Sequence, residues 1–145
     1  MWGSAQQIPW EENFFDKVLS IESFYYYADQ DRALAELFRV MAPHAWLFIL
    51  INLYKDNPYS LQWVHKLKVP VHVRSKEEYV QLLKAHAFEN VDAIQIPDDT
   101  PTPDDYKTTS FNSVDDLKAF KKTGALLLMA SKPDVRNPAP GYTIY

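Results

Sequence analysis

The stretch from Phe15 to Leu53 constrains the chain most, because it reads in one series as strand, polar turn, helix, turn and strand. Phe15-Asp16-Lys17-Val18-Leu19-Ser20-Ile21 is a short apolar run of the kind that makes a buried strand. It breaks into Glu22-Ser23-Phe24-Tyr25-Tyr26-Tyr27-Ala28-Asp29, which is too polar and aromatic to be plain connection. From Asp31 onward, Leu34, Leu37, Phe38 and Met41 recur at i, i+3, i+4 and i+7, one apolar helical face. Pro43 is expected to end that helix, and Ala45-Trp46-Leu47-Phe48-Ile49-Leu50-Ile51 to follow as a strand. So unbroken an apolar run suits a strand covered on both faces, as in a parallel α/β sheet. A unit of this kind is right-handed, and ligands bind beyond the carboxyl ends of its strands. Any ligand is therefore expected near Glu22 to Tyr27 and Asn52 to Tyr54.

The remaining chain continues the alternation. Met1 to Asn13 is polar and turn-like, with Ile8-Pro9-Trp10 as its apolar knot. Leu61, Val64, His65 and Leu67 suggest a short helix after the loop at Tyr54 to Pro58. Ser75-Lys76-Glu77-Glu78 is a capping box, in which the serine hydroxyl takes one orphan N–H and Glu78 reaches back to another. The helix it starts should carry Tyr79, Leu82, Leu83 and Phe88 inward, and Val91 to Ile96 alternates as a strand. After a loop from Pro97 to Pro103, Ser113 caps a helix with Leu117 and Phe120 on its apolar side. Gly124 closes that helix as a C′ glycine, and Ala125 to Ala130 is the last apolar strand. Residues 1–132 read as a single domain and 133–145 as a proline-containing tail.

Composition narrows the function classes. A chain of 145 residues with 47% apolar content can bury a real core. There is no cysteine, which excludes disulfides, thiolate metal sites and cysteine nucleophiles. The net charge of −4, with scattered Lys and Arg, disfavours nucleic-acid binding. The longest apolar run falls well short of the roughly 20 residues a membrane helix needs. Gln6, Gln7, Glu11 and Glu12 interrupt the N-terminus early, so no signal peptide is expected and a cytoplasmic location is the default. The four histidines lack metal-ligand spacing. Asp98-Asp99 and Asp104-Asp105, flanked by Pro97, Pro101 and Pro103, read as turn chemistry. No nucleophile elbow for Ser-His-Asp hydrolysis is present.

The order of landmarks carries a resemblance. Ser4-Ala5-Gln6-Gln7-Ile8-Pro9-Trp10, then Asn13 to Val18, then Leu34 through Arg39-Val40-Met41-Ala42-Pro43, then the Trp46 strand, resemble a class I S-adenosylmethionine (SAM)-dependent methyltransferase of the small-molecule branch. The likeness spans about Ser4 to Lys132 and concerns the rear half of that family's fold. It implies a partial Rossmann-like α/β sheet, mostly parallel with an antiparallel last strand, and helices on the faces. The family's glycine-rich loop and its ribose-binding acidic residue cannot be placed; the chain has three glycines and no G-x-G spacing. Three departures fall where the family places glycine: Pro43-His44-Ala45 stands for Pro-Gly-Gly, and Ala87-Phe88 for Gly-Phe. A side chain at such a left-handed position costs about 1 kcal/mol or more.

The resemblance implies SAM as cofactor and a set of site residues. Ser4 and Ala5 correspond to the family's adenine-contacting pair. Ser20, Ile21 and Glu22 fall in the loop that touches the methionine part, where Glu22 can receive the ammonium group or act as a base. Tyr25, Tyr26 and Tyr27 can line a substrate- or sulfonium-facing wall, since aromatic faces attract cations; packing of the helix onto the sheet is their plainer role. Tyr54, Trp63 and Tyr106 are candidates for the acceptor pocket, and no catalytic residue is assigned. The implied chemistry is in-line transfer of a methyl group to a small molecule. The competing reading is a non-catalytic half-fold whose bare Phe15 edge invites pairing, giving a homodimer or a complex with a front-half partner.

Overall fold

A computed structural model describes residues 3–134, so the tail expected over 133–145 lies, from Val135 on, outside the described residues. The helical period that begins at Asp31 becomes α1 (Gln30–Val40), opened by Asp29, whose carboxylate accepts the Arg32 N–H at 2.9 Å. Its Leu34 and Leu37 face strands β1 (Phe15–Ile21) and β2 (Met41–Ile51), which run parallel with Val18 opposite Leu47 and Ser20 opposite Ile49.

The helix stops at Val40, three residues before Pro43, because Met41 is already extended and pairs with Phe15. β2 therefore starts earlier than Ala45. Two steps along β1 then match five along β2, from Phe15 opposite Met41 to Lys17 opposite Trp46. His44, at φ 68°, turns inside that irregularity.

The second half adds α2 (Lys76–Ala85), β3 (Glu89–Ile96), α3 (Val114–Thr123) and β4 (Ala125–Ser131). Ser75 and Ser113 cap their helices as the sequence suggests, accepting the Glu78 and Asp116 N–H groups at 3.1 Å each. Pro58–Lys66 forms a 310 helix where a short helix was expected. The sheet order is β1-β2-β4-β3, with β4 antiparallel to both neighbours. The reversed last strand is thus inserted between two strands of the opposite sense, which leaves one hydrogen-bonded parallel pair.

The core lies on one face of this sheet. Leu47, Ile49 and Ile51 of β2 and Leu126, Leu128 and Ala130 of β4 alternate inward and meet Leu34, Tyr79, Leu83 and Phe88. Each such leucine, isoleucine or phenylalanine contributes about 1.5–3 kcal/mol by leaving water. On the opposite face, Leu19, Ile21, Trp46, Ile94 and Ile96 are exposed among the described residues. The apolar β2 run is therefore covered by α1 and α2 on one side, rather than enclosed on both as its composition suggested.

One buried charge ties the elements together. Lys132, fully buried, donates from Nζ to the carbonyls of Phe38 at 2.7 Å and Met41 at 2.8 Å and to Asn13 Oδ1 at 3.0 Å. It caps the carboxyl end of α1, with the Phe38 ring 4.7 Å away. Burial pushes its pKa down to about 8.

Candidate functional site

β1 and β2 are parallel and adjacent, so their carboxyl ends come out side by side. That placement gathers Glu22, which follows β1, and Asn52, which follows β2. Asn52 Nδ2 donates to Glu22 Oε1 at 2.9 Å, and the Tyr25 hydroxyl donates to Glu22 Oε2 at 2.8 Å. Glu22 itself sits at φ 53°, held there by its N–H on the Leu50 carbonyl at 2.8 Å. Left-handed backbone in a residue with a Cβ costs on the order of 1 kcal/mol and clusters at functional sites.

Beside it lies a hydroxyl network. Ser20 Oγ is 2.9 Å from Ser23 Oγ, and the Tyr27 hydroxyl is 3.2 Å from Ser23 Oγ and 3.5 Å from Ser20 Oγ. The 310 turn Phe24–Tyr26 is pinned from two sides. Gln30 Nε2 donates to the Phe24 carbonyl at 3.1 Å, and the His72 N–H donates to the Tyr25 carbonyl at 2.9 Å. Desolvation first, and then the Glu22 carboxylate, raise the Tyr25 pKa far above the usual phenol range, so Tyr25 remains a hydrogen-bond donor.

Ser20, Ile21, Glu22 and Tyr25 thus share one end of the sheet, joined by Ser23, Tyr27 and Asn52. Asn52 carries no sign in the sequence: the register Ile21 opposite Leu50 sets Glu22 level with Ile51, and the Asn52 amide reaches back one residue to the carboxylate. Tyr26 is exposed and stacks obliquely on Tyr25 at 4.6 Å.

The other candidates lie elsewhere. Ser4 lines an open hollow of about 570 Å3 with Arg32, Glu36 and Arg39 of α1, and Ala5 occupies the turn bridged by Ser4 and Gln7. Tyr54 is fully buried; its hydroxyl donates to the Gly124 carbonyl at 2.7 Å and accepts from Gln95 at 3.2 Å. It reads there as a core phenol, the apolar ring filling the interior while the polar tip is satisfied. Trp63 packs on Phe111 and Phe120 at 5.4 and 5.0 Å. Tyr106, exposed, shares a hollow of about 320 Å3 with Leu117 and Phe120. Phe120 therefore links Trp63 and Tyr106 on the α3 side.

The two described glycines serve packing. A Cβ on Gly3 would strike the Pro9 ring, and one on Gly124 the Ile96 carbonyl. Neither lines the Glu22 cluster.

Residues 1–49 match the family model described as "Methyltransferase domain". Among solved structures, a methyltransferase from Haloferax volcanii in complex with the Trm112 methyltransferase activator superposes with a TM-score of 0.81 at 23% identity, covering 93% of this chain and 61% of that one. The fold is that of SAM-dependent methyltransferases. One of these, from Thermotoga maritima and described as a possible histamine N-methyltransferase, gives a TM-score of 0.66 at 18% identity, over 90% of this chain and 61% of that one. The 4+2 cyclase SpnF gives 0.63 at 19% identity, over 92% and 55%. The chain therefore spans about three-fifths of the length of the structures it resembles. No curated protein matches its sequence.

Proposed function

We propose that this chain supplies the methionine-facing and acceptor-facing wall of a SAM-dependent methyl-transfer centre acting on a small molecule. The observation that carries the reading is the Glu22 carboxylate, set in a strained backbone at the carboxyl ends of two parallel strands and oriented by Tyr25 and Asn52. Open α/β sheets bind ligands at that end. The donor set fits the amino-acid end of SAM: Glu22 for the ammonium group, with Ser20 and Ile21 beside it. Ser4 and Ala5, at the separate hollow beside α1, are the adenine-side candidates that the family resemblance supplies. SAM supplies a methyl group made electrophilic by its sulfonium.

The chain's own residues orient and exclude water. The exposed ring face of Tyr26 favours a cationic sulfur, while the buried, protonated Tyr25 phenol fixes the Glu22 carboxylate and donates nothing to a reacting atom. Trp63 and Tyr106, linked through Phe120, are the acceptor-pocket candidates, and Tyr54 serves the core instead. The rate then comes mainly from alignment of the reactants. Calorimetric titration with SAM tests this reading. Micromolar binding that weakens about tenfold in Glu22→Gln supports it, and the absence of saturable binding overturns it.

A second reading is favoured by two observations. β1 is an edge strand of the described sheet, and no described glycine lines the Glu22 end as a cofactor cradle. On that reading the chain is a non-catalytic methyltransferase-like fold that works through association. Silence toward SAM together with a stable assembly supports it.

A further inference from the structure

The face of the sheet opposite the core presents three cross-strand rows. The first runs Lys17, Trp46, Ser131 and Glu89 across β1, β2, β4 and β3. The second runs Leu19, Phe48, Met129 and Asp92. The third, Ile21, Leu50, Leu127 and Ile94, is wholly aliphatic. None of the apolar residues in these rows belongs to the core; Leu19 is 64% exposed and Ile21 55%, while Ser131 is buried and bonded to Asn90 and the Glu89 carbonyl. A contiguous apolar patch of this extent marks an interaction surface.

Its charges are sorted. The cation Lys17 stands at the β1 rim and the anions Glu89 and Asp92 at the β3 rim, and none of the three forms an ion pair among the described residues. We propose that this face is covered by a second copy of the chain, packed sheet on sheet about a two-fold axis parallel to the strands. That operation keeps each row at its own level and exchanges the two rims. Lys17 then meets the second copy's Glu89 and Asp92, and Phe48 lies over the second copy's Met129. A pliable thioether thus faces an aromatic ring.

A two-fold axis perpendicular to the strands would instead set Lys17 against the second copy's Ile21 and bury a charge on aliphatic surface. The sorted rims therefore select one orientation. Packed sheets twist by up to about 30° relative to each other, which brings Lys17 within reach of both acids. The apolar rows supply affinity and the rims supply register. The inference concerns assembly and stands whether or not the chain binds SAM.

Sedimentation equilibrium over a concentration series tests it, with circular dichroism confirming that each variant folds. The chain is expected to dimerise, Lys17→Glu to raise the dissociation constant about tenfold, and the double variant Glu89→Lys with Asp92→Lys to do the same. Mixing the two defective chains is expected to restore a dimer, because each then offers the charge the other lacks. A monomer at every concentration overturns the proposal. So does a dimer indifferent to Lys17→Glu, or a mixture that fails to pair, since association through the β1 edge would not be rescued by charges on β3.

Discussion

Ala87 and His44 both sit at φ 68°, a region where a Cβ crowds the neighbouring carbonyl. Ala87 closes α2 and is exposed, so its methyl gains nothing from packing. His44 approaches Asp134 at 3.5 Å across an exposed surface, which contributes little. Replacing either by glycine relieves the strain but loosens the unfolded chain. Ala87→Gly and His44→Gly are each expected to raise stability by about 0.5–1 kcal/mol, read as a higher urea midpoint. Gly124→Ala, at φ 89° against the Ile96 carbonyl, is expected to lower it by more than either gain. These positions were legible because the resembling family places glycine at two of them and a helix ends at the third. Glu22 at φ 53° carried no such sign, since a glutamate after a strand gives no warning of left-handed backbone.

α1 shows how an element recruits irregular chain. Arg39 Nη2 donates to the Ile8 carbonyl at 2.8 Å and Nη1 to the Trp10 carbonyl at 3.0 Å, while Glu36 holds the same guanidinium and accepts the Ile8 N–H at 3.0 Å. The segment that reads as a polar turn is thereby fastened along the helix. Arg39, chiefly, keeps the Glu36 carboxyl below its usual range. Arg39→Ala is expected to cost about 1–3 kcal/mol and to accelerate hydrogen exchange at the Ile8 amide far more than at amides inside β2. The helices themselves were readable, α1 from its apolar period and α2 and α3 from their capping serines. The start of β2 was not, because helix propensity and strand pairing compete at Met41 and only the partner Phe15 decides. Tyr54 misled for a related reason: a tyrosine beside Lys55 and Asp56 looks like loop, and its burial depends on a distant acceptor at Gly124.

At the scale of the molecule, the pattern of strands and helices was legible but the neighbour relations were not. An apolar run such as β2 reads alike whether both its faces are covered within the chain or one is left open. Lys132 was equally hidden, since a lysine at a strand end is ordinarily solvated and its acceptors come from two distant segments, Asn13 and the α1–β2 junction. It nonetheless shapes a property of the whole fold. Its pKa of about 8 lies below the ordinary 10.5, so between those values the unfolded chain binds a proton that the folded chain has released. Stability then rises with pH across that window, by about 1.4 kcal/mol for each unit of displacement. Three phenols act in the opposite sense. Burial is the first cause of the raised values at Tyr25, at Tyr54 and at Tyr79, the last pushed up to about 12. Above about pH 10 the unfolded chain sheds phenol protons that the folded chain keeps, and stability falls. Urea midpoints measured from pH 7 upward are expected to climb from about pH 8, pass through a maximum near pH 10 and then drop steeply. Lys132→Met leaves the Phe38 and Met41 carbonyls without their donor, so it starts from lower stability. The decisive readout is its slope: the rise above pH 8 should vanish while the fall above pH 10 remains. A rise that persists in Lys132→Met would show that another group releases its proton on folding.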